Sequence, residues 1–422
     1  MLDEDKKHKH RHRVKVRVRR KRPSRKKSII KPVALLLGAA AIMALLVFGL
    51  SQPESDSLVT RDGSRFNEQL ADLPPNKWVK LHIPFVGSWH RQEHASMAFD
   101  AHRNKLFVFG SDTHGVNWDN SVHEFDPLIL RWSDHYRQAP RRDYTVDSQG
   151  HPIADRDQLQ PWAMHAYANV VYDPKLDALF VMSMPEHNPA QKVVRGIKRN
   201  PAWIYELSTR RWRMLDDPEE PMPFGPGGAS AYDSDRDVIM TYGNQGIWEL
   251  GPDRSHWLHA TSESHHEKGQ SMVYDSRHHK MVVFGGQPNS SSVWVYTPGT
   301  EPGKQGTWQE MTPGGDKCPN DPYFPVAYDS DFGVFLLVLD NPPSEKEKVS
   351  ESSSTCVYDL ESNSYLRLPE ATLPSIGMNY MMSYDPSNKV FFLVTGDKQT
   401  PPSVWALHLE LFPFEDRLKP SA

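Results

Sequence analysis

The chain has almost no cysteine. Two occur in 422 residues, Cys318 and Cys356, so it can hold one disulfide at most. It has no His-Glu-x-x-His segment, which removes the helix-borne zinc-hydrolase reading. Beyond residue 50 it has no excess of positive charge. Residues 51–422 carry 34 Lys/Arg against 50 Asp/Glu, and an acidic surface repels phosphates, so this part is not expected to bind nucleic acid. Long runs that are both uncharged and apolar throughout are missing too, with one exception, Val33 to Leu50. What the chain does have is turn chemistry: 35 Pro and 25 Gly favour many short elements over long helices.

The positive charge is gathered at the N-terminus. Residues 1–27 hold 14 Lys/Arg and 3 Asp/Glu, with no apolar periodicity. The 18 uncharged residues that follow would span about 27 Å as a helix, close to the hydrocarbon thickness of a bilayer. Ile29 and Ile30 extend the run, and Lys31 can reach the headgroups. A cleaved signal peptide is the competing reading, but its apolar core is usually shorter, and Phe48-Gly49-Leu50-Ser51 is a poor cleavage site. The expectation is therefore a basic cytoplasmic tail (1–28), a single-pass signal-anchor helix (29–50) and a polar, Pro-containing stalk (51–75). The remainder would lie outside the cytoplasm, in the periplasm if the membrane is a bacterial inner membrane. The tail reads as a topology determinant attracted to anionic lipid, or alternatively as a partner-binding arm.

One phrase occurs six times: an aromatic residue, Asp, a polar turn, then an apolar run. The copies begin at Phe99-Asp100, Tyr172-Asp173, Tyr232-Asp233, Tyr274-Asp275, Tyr328-Asp329 and Tyr384-Asp385. Their starts are 73, 60, 42, 54 and 56 residues apart, so the unit is constant and the connecting loops vary. Each unit reads as four short strands. The first ends in the aromatic-Asp pair and the second is the apolar run, as in Lys280-Met-Val-Val-Phe-Gly-Gly286. The third carries an aromatic (Phe125, Tyr205, Trp248, Tyr296, Tyr358, Trp405) and the fourth a Trp or Tyr (Trp132, Trp212, Trp257, Trp308, Tyr365). The sixth unit lacks a fourth strand. Asn76-Lys-Trp78-Val-Lys-Leu81 resembles the fourth strand at Trp308, so residues 76–82 are expected to supply it and close a ring.

This pattern resembles the Kelch repeat. Val282-Val-Phe-Gly285-Gly286, followed by Val293-Trp294 and Trp308, carries the resemblance best. Other units keep part of the glycine doublet (Gly110, Gly243, Gly396), and the second and fifth lack it. The resemblance covers residues 76–411 and implies an all-β, six-bladed Kelch-like propeller, leaving 412–422 as a C-terminal tail. Kelch signature residues are structural, so it implies no catalytic motif. Galactose-oxidase-like members use copper with His, Tyr and a Cys–Tyr cross-link, and neither cysteine here has a matching motif. Sialic-acid mutarotases are six-bladed, periplasmic and cofactor-free, but their site residues have no identifiable counterparts here.

The turn between first and second strands has one length in all six units. The opposite face collects the variable loops: Ser133 to His165, Pro185 to Pro201 with Lys192, Arg195, Lys198 and Arg199, and Asn341 to Ser354. Histidines fall on the same face. His94, His114, His165 and His187 lie near first strands and are the candidate metal ligands. Candidate ligand-binding residues are these four with Asp112, Trp162, His265, Gln287 and Tyr380. The bland alternative is that such histidines only hydrogen-bond neighbours, and such aromatics only pack. Cys318 and Cys356 could form a disulfide within the fifth unit or remain separate buried thiols.

Two functions remain open. The first is a membrane-tethered binding or scaffold module for a glycan or an envelope protein, needing no cofactor. The second is a carbohydrate-active enzyme: a cofactor-free epimerase, mutarotase or lyase using His165, His187, Glu186 and Arg195 as acid, base and anion clamp, or a metal-dependent oxidase. A weaker third reading places the chain in a multiprotein envelope machine.

Overall fold

The structure, a computed structural model, describes residues 58–61, 64–84, 93–114, 117–185, 188–215, 227–288, 291–343, 349–396, 401–412 and 414. The expected tail and anchor lie outside these residues. Among the described residues, no helix is long and apolar enough to cross a membrane.

The described chain is nearly all β. Six antiparallel sheets follow one another, here numbered in chain order. Sheet one contains Ser96–Asp100, Lys105–Phe109, His123–Asp126 and Arg131–Asp134. Sheet two contains Val170–Asp173, Ala178–Val181, Ala202–Glu206 and Arg211–Leu215. Sheet three contains Ala229–Asp233, Val238–Gly243, Gly246–Leu250 and Trp257–Thr261. Sheet four contains Lys268–Asp275, Lys280–Gln287, Val293–Thr297 and Thr307–Met311. Sheet five contains Val326–Asp329, Val334–Asp340, Ser352–Asp359 and Ser364–Pro374, with Gly314–Gly315 added in parallel. Sheet six contains Met382–Asp385, Val390–Thr395 and Ser403–Leu407. Its fourth strand is Val79–Lys80, paired antiparallel to Ser403–Leu407.

The repeated phrase has a physical cause. In every copy the Asp is buried, and its Oδ1 accepts the backbone N–H groups two and three residues on, for example Arg277 (2.9 Å) and His278 (3.0 Å) at Asp275. Four residues after each Asp the backbone turns left-handed, at Asn104, Asp177, Asp237, His279, Gly333 and Lys389. This fixes one four-residue hairpin six times over. The aromatic partner ties neighbours together: the Tyr328 hydroxyl donates to Asp275 (2.7 Å) and that of Tyr384 to Asp331 (2.7 Å), each on the preceding sheet.

Second strands read as continuous apolar runs because both their faces are covered. Six apolar clusters fill the spaces between successive sheets. One joins sheets one and two through Phe107, Phe109, Leu179 and Trp203, and another joins six to one through Phe392, Val394, Leu106 and Phe125. First strands also touch in series, and that of sheet six touches that of sheet one. A cavity of about 350 Å³ lies among the first strands of sheets one to four. The arrangement is consistent with a β-propeller.

Two segments carry more local structure than their sequence showed. The first is the described part of 51–75. Leu58–Arg61 pairs with Ser64–Asn67, a short helix covers Glu68–Ala71, and Leu70 is buried against Leu81 and Met97. Asn67 caps that helix by accepting the Gln69 N–H at 2.9 Å. The second is the segment Ser133 to His165. It carries Thr145–Val146, Pro152–Asp155 and Gln160–Pro161 as a three-stranded sheet. A 3-10 turn at Pro189–Lys192 packs on it, and together they enclose a core of Ala139, Tyr144, Ala154, Trp162, Ala163 and Ala190. These segments are too short to show strand periodicity, and their apolar residues share one buried cluster.

Cys318 and Cys356 are joined by a disulfide, with Cα atoms 6.4 Å apart. It ties the chain entering sheet five to that sheet's third strand.

Candidate metal centre

Three segments meet at the entry to sheets one and two. One is the turn at His94 just before sheet one. The second is the stretch after the second strand of sheet one, with Asp112 and His114. The third is the end of the inserted module, with His165 and Tyr167. Gly110 lets them close up: a Cβ there would stand 2.7 Å from the Cβ of Ala166 and 3.1 Å from the Cα of Ala95. Ser111 donates its N–H to the Met164 carbonyl at 2.9 Å. Ala166 and Tyr167 both donate theirs to the His94 carbonyl at 2.8 Å.

The backbone is strained at this junction. Among the described residues, 13 non-glycine residues have positive φ, and strand-connecting turns account for all but Asn76, His94 and Tyr167. His94 (φ 62°) and Tyr167 (φ 50°) both stand in the cluster. Such conformations cost about 1–3 kcal/mol each and persist where the surroundings enforce them.

The side chains converge. One ligand atom from each of His94, Asp112, His114 and His165 lies within 4.8 Å of the others. The rings of His94 and His165 are stacked at 4.1 Å, and His114 meets His165 edge-on at 4.6 Å. His94, Asp112 and His165 are buried, whereas His114 is exposed. Nδ1 of His165 is hydrogen-bonded to the Tyr167 hydroxyl (3.0 Å), and its Nε2 accepts the Thr113 N–H (3.3 Å) and faces Asp112 Oδ1 (3.9 Å). This is the tautomer in which imidazole ligates a metal through Nε2, the long Thr113 hydrogen bond giving way to the ion. Asp112 Oδ1 also accepts the His114 N–H at 3.2 Å, fixing the carboxylate.

Three imidazoles and one carboxylate suit a borderline divalent ion such as Zn²⁺ or Cu²⁺ better than Ca²⁺ or Mg²⁺, which take oxygen ligands. A tetrahedral ion with ligands at ~2.1 Å needs them ~3.4 Å apart. The ligand atoms here lie within 4.8 Å of one another, wider than that spacing, and His114 is the exposed member of the group. Around the group, the Ser111, Thr113 and Tyr380 hydroxyls are buried with no hydrogen-bond partner among the described residues. Burial pushes the Tyr380 phenol well above its usual range, keeping it a neutral donor.

Of the other sequence candidates, Tyr380 borders the group and the rest fall elsewhere. Tyr380 is buried edge-on to Tyr167, with centroids 5.9 Å apart. Trp162 is fully buried in the inserted module and donates to the Thr145 and Ile153 carbonyls, both at 3.0 Å, so it is a core residue and offers no stacking surface. His265 is stacked on Trp294 at 3.5 Å, beside sheet four. Gln287 is half-buried opposite Lys268 at the end of that sheet. Arg195 is exposed on the segment packed against the inserted module. Glu186 and His187 lie outside the described residues. Tyr167 was not singled out in the sequence; an aromatic two residues from a candidate ligand was its only signal.

No known family model matches the chain, and no curated protein sequence matches it.

Proposed function

We propose that the chain is a membrane-anchored, extracytoplasmic binding module: a six-bladed Kelch-like propeller whose loop-rich face holds one divalent transition-metal ion at His94, Asp112, His114 and His165. The convergence of three imidazoles and a carboxylate within 4.8 Å carries this reading. The serial contacts of first strands and the apolar clusters between successive sheets support the propeller. The disulfide supports an oxidising compartment, and the basic N-terminus followed by an uncharged run supports the anchor. Four protein ligands fill a tetrahedral shell, which suits holding a glycan-binding or protein-binding face in shape more than turning over a substrate.

The test is elemental analysis of the full chain, purified in detergent, loaded with Zn²⁺ or Cu²⁺ and desalted. One ion per chain is expected. His165→Ala and Asp112→Ala should each weaken retention at least tenfold, and exposed His114→Ala should weaken it less. A chain that retains no ion, or variants that retain it fully, would overturn the assignment.

A further inference from the structure

The inserted module contains a second cavity, of about 520 Å³, within the range of small-ligand sites. One wall is Tyr136 to Pro140 with Arg142, and the other is formed by Asp155, Gln158 and Gln160. Both walls are held by one buried side chain, Asn120. Its Oδ1 accepts the Ala139 N–H at 2.8 Å, and its Nδ2 donates to the Pro161 carbonyl at 2.9 Å and to Gln160 Oε1 at 3.2 Å. Tyr136 is fixed as well: its hydroxyl donates to the Asn120 carbonyl and accepts the Trp212 indole N–H at 2.7 Å. The cavity is therefore shaped before any ligand arrives, which lowers the entropy cost of binding.

Its chemistry is specific. Arg137 and Arg142 line it with exposed guanidiniums; that of Arg142 stands 3.6 Å from Asp143 Oδ1, a solvent-exposed pair weak enough to exchange for a ligand carboxylate. Gln138 and Gln158 are exposed amides able both to donate and to accept. Asp155 uses Oδ1 to close its own turn, accepting the N–H groups of Asp157 (2.8 Å) and Gln158 (3.1 Å), which leaves Oδ2 for a donor. Two cations call for an anion. The carboxylate and amides call for hydroxyl groups, and the carboxylate disfavours a bare phosphate. Lys192, Arg195 and Lys198 are exposed on the segment packed against the same module, and residues 188–200 contain no acid. This basic stretch stands out in residues 51–422, which are acidic as a whole, and adds attraction for an anionic chain.

We infer that this cavity binds one residue of an acidic polysaccharide, a hydroxyl-rich sugar bearing a carboxylate, with Arg137 and Arg142 on the carboxylate and Gln138, Gln158 and Asp155 on the hydroxyls. The inference names a ligand class for the binding-module reading and rests on it, but it does not depend on the metal.

The test is calorimetric titration of the full chain with a galacturonic-acid tetramer at low salt, beside its methyl-esterified form, inorganic phosphate and anionic phospholipid vesicles. Binding of the acidic tetramer is expected, with at least a tenfold loss on esterification and in Arg137→Ala/Arg142→Ala. Gln138→Ala/Gln158→Ala should weaken the tetramer several-fold and leave any residual phosphate binding unchanged. No binding of the tetramer, equal binding by the arginine variant, or stronger binding to phosphate or vesicles overturns the inference. Metal content is measured on the same samples. A cavity that fails in chains retaining their ion leaves the proposed function standing, and chains lacking an ion that still bind the tetramer separate the two the other way.

Discussion

His123 gives the fold a pH dependence. It is buried between two carboxylates, with Nδ1 2.8 Å from Asp134 Oδ1 and Nε2 3.2 Å from Asp119 Oδ2. Burial opposes the imidazolium, but the charge of Asp119 and the hydrogen bonds to Asp119 and Asp134 outweigh it and push the pKa up to about 9. A raised pKa stabilises the folded state in its protonated form. The contribution is full below about 6.5, the unfolded value, and is lost as pH rises through about 9. His123→Leu should cost roughly 3 kcal/mol near pH 6, because it strips a buried acid of its cation. The gap in Tm between wild type and variant should narrow from pH 6 to pH 10; a constant gap would contradict the pairing. At this scale the sequence was least legible. Trp162 was a candidate for ligand stacking with packing as the alternative, and its indole N–H, bonded to two carbonyls inside the inserted module, shows that it packs. Tyr167 matters because of a left-handed backbone and a hydrogen bond to His165, neither of which composition reveals.

At the scale of elements, the repeated hairpin was legible because its chemistry is local. One buried Asp satisfies two turn N–H groups, and the aromatic before it reaches the neighbouring sheet. Asp275 accepts from Arg277, His278 and Tyr328. Asp275→Ala should therefore destabilise the protein by roughly 3 kcal/mol, since it orphans several donors at once. Asp275→Asn, which keeps Oδ1, should cost about 1 kcal/mol. Urea denaturation measures both, and equal losses would show that the turn N–H groups are not the source. The inserted module was not legible for the opposite reason. Its strands Thr145–Val146 and Gln160–Pro161 are two residues each, and its stability comes from a core assembled from 139 to 190. Only tertiary packing defines such an element.

At the scale of the whole molecule, the N-terminal strand was legible because a missing fourth strand at one end matched a surplus Trp strand at the other. Val79–Lys80 takes that place, and Trp78 reaches across to donate to Thr355 on sheet five at 2.8 Å. Of the four histidines expected to converge, His94, His114 and His165 come together beside Asp112, and His187 lies outside the described residues. The central claim is that these four side chains hold one ion. Anomalous diffraction at the zinc edge, from crystals of the chain grown with Zn²⁺, tests it most directly. The account predicts one strong peak about 2.0–2.2 Å from a nitrogen of each of the three histidines and from an oxygen of Asp112. A peak elsewhere, or none at these residues, would contradict it.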